Sequence, residues 1–558
     1  MHPSILAKRA WLLFFIAISA FYLWGLGYLP LVGPDEPRYA QVAREMLARR
    51  DLITPTLGGM PWFEKPPLLY WMMMLSFRLF GVNEYAARLG PALCGLIVAL
   101  FIYWIGRQIG RASREDGGLG ADAIGRWSAL FWLSSLGAII FSRAASFDIV
   151  LTMTVTGAFA FFINYVTRAS AHDITFSVRR KLNTKLLVGF YFFAGLSMLA
   201  KGLVGFVIVF SVASFYYILR RERPSKGLAL SLVWGIPLSV AVAAIWFIPM
   251  VMRHGSIFVD QFIIQHHFER FVSNKYHHPG PIYFYLPAVI GLALPWTLAL
   301  GGAILSARHW IWRGANPVDQ LRVFALIWLI LPVAFFSFSG SKLIGYILPV
   351  LPAIALLAGE RITCALRAAR GQTLLRLTGG ALVVLAAAGY WYIHAHFDLI
   401  RYCLMFTAMP LLIIGGVAVI APRLERALLV LVAVAIFLSS GIALKCAAPV
   451  VVKPESVREV LLAAAARGYG TTPVTQLHTI ERTAEFYAAG RLTYQPDGEP
   501  IKFEGVMQIV EAARHNSGTV LCFVPLQFQS QLTSFSGAQT EVISDNGRVV
   551  LIAVRVKA

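Results

Sequence analysis

The stretch WLLFFIAISAFYLWGLGYLPLVGPDEPRYA, residues 11–40, joins an apolar run to a turn crowded with charge. As a helix, Trp11 to Leu31 is long enough to cross a bilayer, which takes about 20 residues. Pro34 and Pro37 then fix φ and remove backbone donors, so the chain turns at the membrane surface and holds Asp35, Glu36 and Arg38 in a stiff segment. Lys8 and Arg9 precede the run and no small-residue cleavage site follows it. It reads as a retained first span.

Of 558 residues, 58% are hydrophobic and 14% charged, a balance that the surface of a soluble protein would not tolerate. The chain therefore reads as a polytopic α-helical membrane protein. Apolar runs near 10–30, 86–106, 127–142, 147–167, 186–200, 202–219, 228–252, 282–306, 323–338, 343–359, 377–394, 403–421 and 427–446 predict about 13 transmembrane helices. Basic residues fall on alternate loops: Lys8/Arg9, Arg107–Arg126, Arg168–Lys185, Arg220–Lys226, Arg308–Arg322, Arg361–Arg376 and Arg423/Arg426. The positive-inside rule puts all of them in the cytoplasm. That topology accounts for most of the formal charge of +21, so no nucleic-acid partner is needed.

The same alternation places two long loops, 31–85 and 253–281, outside, together with the tail. Residues 1–446 then form a membrane domain and 447–558 a soluble α/β domain. In the tail, Gly518–Val524 and Arg548–Val554 read as buried strands, and Ser456–Arg467 and Thr479–Ala489 as helices. Of the five cysteines only Cys446 and Cys522 could meet outside, and no paired spacing supports a bridge between them.

The first outer loop carries unusual chemistry. Beyond the Asp35-Glu36 turn, Tyr39–Arg50 has the pattern of a helix lying on lipid with Ala40, Val42, Ala43, Met46 and Leu47 inward. In Trp62-Phe-Glu-Lys-Pro-Pro-Leu-Leu-Tyr70, Glu64 and Lys65 precede a proline pair that opens a short apolar helix. Asp148 starts another span, where it suits a helix cap as well as a functional carboxylate. Lys201, Arg270, Lys342 and Tyr346 also sit at outer span ends or in the second long loop. Singly, each fits interfacial anchoring. Together they put acids and bases on one face of the membrane.

Transfer from a lipid-linked phosphosugar needs that combination: a carboxylate orients or deprotonates the acceptor, and cations stabilise the departing phosphate. No Gly-x-Gly-x-x-Gly or Walker sequence is present, which suits a donor without a nucleotide. The Asp-Glu after the first span, Phe63-Glu-Lys-Pro-Pro67, Asp148, Ala200-Lys-Gly202, His267-Phe-Glu-Arg-Phe271 and Ser339-Gly-Ser-Lys-Leu-Ile-Gly-Tyr346 resemble the GT-C glycosyltransferases of the protein-O-mannosyltransferase superfamily. Within it, the bacterial aminoarabinose lipid A transferases are the group most similar in these motifs.

The resemblance implies a GT-C fold and transfer of 4-amino-4-deoxy-L-arabinose from undecaprenyl phosphate to lipid A phosphates. The implied place is the periplasmic face of a bacterial inner membrane, the implied state a monomer, and the implied outcome resistance to polymyxin. Carried over, Asp35 and Asp148 are the catalytic carboxylates, and Arg38, Tyr39, Lys65, Arg270 and Tyr346 the donor-phosphate ligands. Glu64 and His267 are candidate ligands for a divalent metal, zinc or magnesium, although two protein ligands fall short of a tight zinc site. The alternatives are a polyprenyl-phosphate mannosyltransferase acting on protein hydroxyls and, from another class, a lipid-linked sugar transporter. A transporter would carry its acids near the midplane of the spans, whereas these lie at their outer ends.

Overall fold

A computed structural model describes residues 3–113, 120–169, 176–269, 280–368, 370–396, 401–495, 498–516 and 518–556. The chain folds as two compact units. One comprises Met1–Trp24, Glu64–Leu69 and Gly90–Ala443, the other Gly25–Phe63, Tyr70–Leu89 and Leu444–Ala558.

Among the described residues, nine helices are long and apolar enough to cross a membrane, so this is a multi-pass membrane protein. The spans predicted at 127–142 and 282–306 are instead bent pairs: Ala123–Leu133 with Leu136–Ser142 at 61°, and Tyr285–Leu292 with Thr297–His309 at 115°. The first bend falls where the Ser134 and Ser135 hydroxyls donate back to the carbonyls of Leu130 and Trp132, and Ser135 caps the helix that follows. Pro295, which has no N–H to offer, interrupts the second. The predicted spans at 10–30 and 403–421 contain shorter apolar helices, Arg9–Leu23 and Met405–Ile420.

In the first unit, helix Phe147–Ala169 packs against helices Phe176–Lys201, Leu203–Arg220 and Pro317–Ser337. Its apolar window is 94% buried, which makes it an inner helix rather than a lipid-facing one. Aromatic rings fill the contact: Phe159 lies 4.6 Å from Trp328 and 5.3 Å from Phe324, and Phe162 lies 5.6 Å from Phe324. Thr152, Thr154, Thr156 and Thr167 donate to carbonyls of their own helix, so no hydroxyl among these four is left unsatisfied in the apolar interior.

The second unit is built on a four-stranded sheet in the order Val474–Gln476, Thr519–Pro525, Val549–Val556, Ala538–Asp545. The first pair is parallel and the others antiparallel. Alternation sends Leu521, Phe523, Leu551 and Ala553 to one face, against Val457, Val460 and Leu461. Val520, Cys522, Val524, Ile552 and Val554 go to the other, against Ile509, Val510 and Ala513 of helix Val506–His515. Covering both faces is why the two central strands read as unbroken apolar runs. Strands Val474–Gln476 and Ala538–Asp545 were not foreseen, being short or half-exposed. Cys522 is a free, buried thiol, and Cys446 is disulfide-bonded to a different cysteine.

The loop after the first span also belongs to this unit. Helix Asp35–Arg49 begins four residues before the predicted start, with Pro37 in its first turn. Ala40, Val42, Ala43 and Met46 are fully buried by protein, correcting the expectation that they face lipid. The helix packs on Ala484–Tyr487 of the tail, where the Arg44 guanidinium lies 5.0 Å from the Phe486 ring.

Arg88, buried at the start of helix Glu84–Ala112, fixes where that loop runs. Its Nε and Nη2 donate to Glu36 at 3.0 and 2.6 Å. Its Nη1 donates to the carbonyls of Leu26 and Leu29, and Nη2 also to that of Pro30. Glu36 in turn accepts from the Val32 amide at 3.1 Å. Arg88→Ala leaves a buried carboxylate and three carbonyls without their donor, so it should cost about 3–5 kcal/mol. Thermal unfolding of purified protein should show a clearly lowered midpoint, and an unchanged midpoint would contradict this account.

Candidate active site

Asp148 stands in the first turn of helix Phe147–Ala169, but it does not serve as its cap. Ser146 accepts from the Asp148 amide at 3.1 Å, and its hydroxyl donates to Asp148 Oδ2 at 3.2 Å. The carboxylate is thereby free for a different partner, and Oδ1 forms an ion pair with Lys201 Nζ. Lys201 is the last residue of helix Phe176–Lys201, where the negative end of the helix dipole favours a cation, and Gly202 at φ 74° breaks the chain direction. The ammonium also lies 4.6 Å from the centroid of the Tyr346 ring.

Tyr346 belongs to the turn Ile344–Val350 and leans on Phe336, 5.4 Å between centroids. Next to it Gly345 is required by space: a Cβ there would lie 2.1 Å from Asp148 Oδ2 and 3.0 Å from the Phe141 ring. Lys342 donates to the Ser339 carbonyl at 2.7 Å. Of the predicted residues, the structure thus brings together Asp148 and Tyr346, with Lys201 between them. An acid and an ammonium held side by side and part-exposed can orient a nucleophile and stabilise a developing anion.

Glu64 and Lys65, in the same unit, pair with one another at 2.7 Å. Arg270 lies outside the described residues, as does the side chain of His267. Among the described residues no group of three or more His, Cys, Asp or Glu is placed to hold a metal ion.

The remaining predicted residues lie in the second unit. Asp35, at the first position of its helix, is exposed, and among the described residues its carboxylate has no hydrogen bond or ion pair. Glu36 beside it points the other way, into the Arg88 pair. Arg38, one turn on from Asp35, stacks 5.1 Å over Trp62, and its Nε lies 3.8 Å from Glu485 Oε2. Tyr39 is buried edge-on to Tyr70. Glu485 gave no sign in the sequence, because its neighbours in the tail look like any soluble helix. Arg88 does give one, as a cation within an apolar span.

The sequence model of the dolichyl-phosphate-mannose-protein mannosyltransferase family matches residues 9–309. An undecaprenyl phosphate-alpha-4-amino-4-deoxy-L-arabinose arabinosyl transferase of Pseudomonas aeruginosa is 32% identical over 392 residues, 69% of this chain and 66% of that protein. The enzyme of the same name from Aeromonas hydrophila is 31% identical over 356 residues, 63% of this chain and 59% of that one. The matched segments thus span 66% and 59% of the length of these relatives, less than two thirds of either. The crystal structure of ArnT from Cupriavidus metallidurans bound to undecaprenyl phosphate shares the fold, with a TM-score of 0.76 over 98% of both chains at 24% identity.

Gly345→Ala should displace the Asp148 carboxylate and cut turnover about a hundredfold with the protein still folded, since catalytic groups misplaced by an ångström lose that much. Gly301→Ala, where a Cβ meets open space, is the control and should leave turnover unchanged. Equal turnover in the two variants would remove Asp148 from the chemistry.

Proposed function

Because the chain belongs to the dolichyl-phosphate-mannose-protein mannosyltransferase family, we propose that it is a polyprenyl-phosphate-dependent glycosyltransferase that moves 4-amino-4-deoxy-L-arabinose from undecaprenyl phosphate to lipid A. The observation that carries the choice of sugar is the 32% identity to an arabinosyl transferase named for that donor. The site of action in this proposal is the periplasmic face of the inner membrane, with the basic loops in the cytoplasm. The modified lipid A would bear less negative charge and bind polymyxin less well.

In this reading, an oxygen of the lipid A phosphate attacks the anomeric carbon, the bond from that carbon to the donor phosphate oxygen breaks, and undecaprenyl phosphate leaves with the electron pair. A phosphate monoester has a second pKa of about 6, so the acceptor arrives largely ionised and little proton removal is required. Asp35, exposed and without another partner among the described residues, is the carboxylate that orients the acceptor or attracts the ammonium of the aminosugar. Asp148, held by Lys201 and Ser146, supplies a fixed negative charge beside a fixed positive one. Arg38, Tyr39, Lys65, Arg270 and Tyr346 are the proposed contacts of the donor phosphate.

One observation favours a second reading: the matching family is named for mannose transfer to protein. A hydroxyl acceptor is not ionised near neutrality and would require Asp35 as a general base. Purified protein given labelled undecaprenyl-phosphate aminoarabinose should label lipid A and not a serine- and threonine-rich peptide, and the reverse result would select the second reading. In the same assay Asp35→Asn should abolish transfer at normal yield of folded protein. Lys65→Ala should reduce it about a hundredfold, the scale of losing one oxyanion donor. Near-normal turnover in Asp35→Asn would make that carboxylate architectural.

A further inference from the structure

Glu485 lies in the turn of helix that supports the Asp35 helix, and it is an acid where packing asks for none. Its side chain is fully buried. Arg482 donates to Oε1 at 3.0 Å and shares its other nitrogen with Glu499 at 2.5 Å. Oε2 is the oxygen turned to Arg38. Burial drives the carboxyl above the usual carboxylate range, and Arg38 and Arg482 pull it back. A buried acid of this kind costs stability unless its charge is used. Arg38 is the group it acts on, and Arg38 lies three residues from Asp35 on the same helix face.

Resting on the reading of Arg38 as a donor-phosphate ligand, we infer that Glu485 tempers the Arg38 guanidinium so that the site holds the phosphomonoester product less tightly relative to the phosphodiester donor than Arg38 alone would. The donor carries one negative charge on its phosphate. Transfer converts that phosphate into a monoester with a charge between about −1.5 and −2 near neutral pH. An arginine with no internal anion would hold the more highly charged product more tightly and slow its release. A carboxylate buried behind the guanidinium takes up part of its field, and the loss falls more heavily on the more highly charged ligand. Glu485 is in this sense a positioning residue, acting through Arg38 and touching no substrate.

The test measures affinities of the full-length protein for undecaprenyl phosphate and for its methyl diester, by calorimetry in detergent near neutral pH. Glu485→Gln should tighten the monoester about three- to tenfold and the diester less. Equal changes for both ligands, or none, would overturn the inference, because a merely structural role does not sense the ligand's second charge. Glu485→Met removes the same charge at similar volume and replaces the glutamine variant if that one fails to fold. Arg38→Ala separates the two levels: if it leaves both affinities unchanged, Arg38 is not a phosphate ligand and the premise itself fails. Lowering the pH through the raised range of Glu485 should bring wild type and Glu485→Gln together for the diester, whose single charge does not titrate there, with Arg38, Arg482, Glu499 and Tyr494 as the other titratable groups facing Glu485.

Discussion

A single guanidinium sets the course of the chain after the first span. Arg88 meets a carboxylate and three carbonyls with donors that point in fixed directions, and a lysine in its place could not reach all four groups at once. Because Glu36 is one of those partners, the first turn of the helix Asp35–Arg49 is pinned from inside while Asp35 is left facing out. The prolines stiffen the turn, and the buried pair decides which of two adjacent acids stays exposed. Tyr487 adds a second tie, accepting from the Leu31 amide and donating to Glu84.

The two carboxylates singled out from the sequence occupy different environments, and difference of environment is how one protein gives like groups unlike roles. Asp148 is committed: a serine and a lysine hold it, and a glycine makes room for it. Asp35 is open to solvent, with no hydrogen bond or ion pair among the described residues. The first arrangement suits a group whose charge must stay in place, the second a group that meets a ligand as it arrives.

The membrane architecture was legible because hydropathy and the distribution of arginines and lysines are both written locally along the chain. Bends were not, since Ser134-Ser135 and Pro295 interrupt runs that remain apolar throughout. The strands at 519–525 and 549–556 announced themselves by continuous apolar sequence, whereas Ala538–Asp545, half-exposed and carrying a bulge between Val542 and Ser544, did not. The sequence shows Asp148 at a helix start and Lys201 in the tight Ala-Lys-Gly link, but nothing in it pairs the two. Glu36 and Arg88 lie 52 positions apart and Arg38 and Glu485 lie in different parts of the sequence, so pairings of that kind appear only when the chain is folded. The amphipathic helix near Tyr39 was read correctly in period and wrongly in partner: periodicity reveals that a face is covered, not whether lipid or protein covers it.

Asp148 rides on a helix that is almost wholly enclosed by other helices. Helix Lys226–Gln265, with a third of its apolar window buried, has the opposite exposure. Changes in bilayer thickness act on helices through the hydrocarbon they touch, by tilt and local compression, at fractions of a kcal/mol per Å of mismatch. The outer helices absorb such stress first. A carboxylate carried on the enclosed helix is mechanically insulated from it, whereas Lys201 ends a helix whose apolar stretch is 44% buried, so of the Asp148–Lys201 pair it is the lysine that feels the thickness of the bilayer.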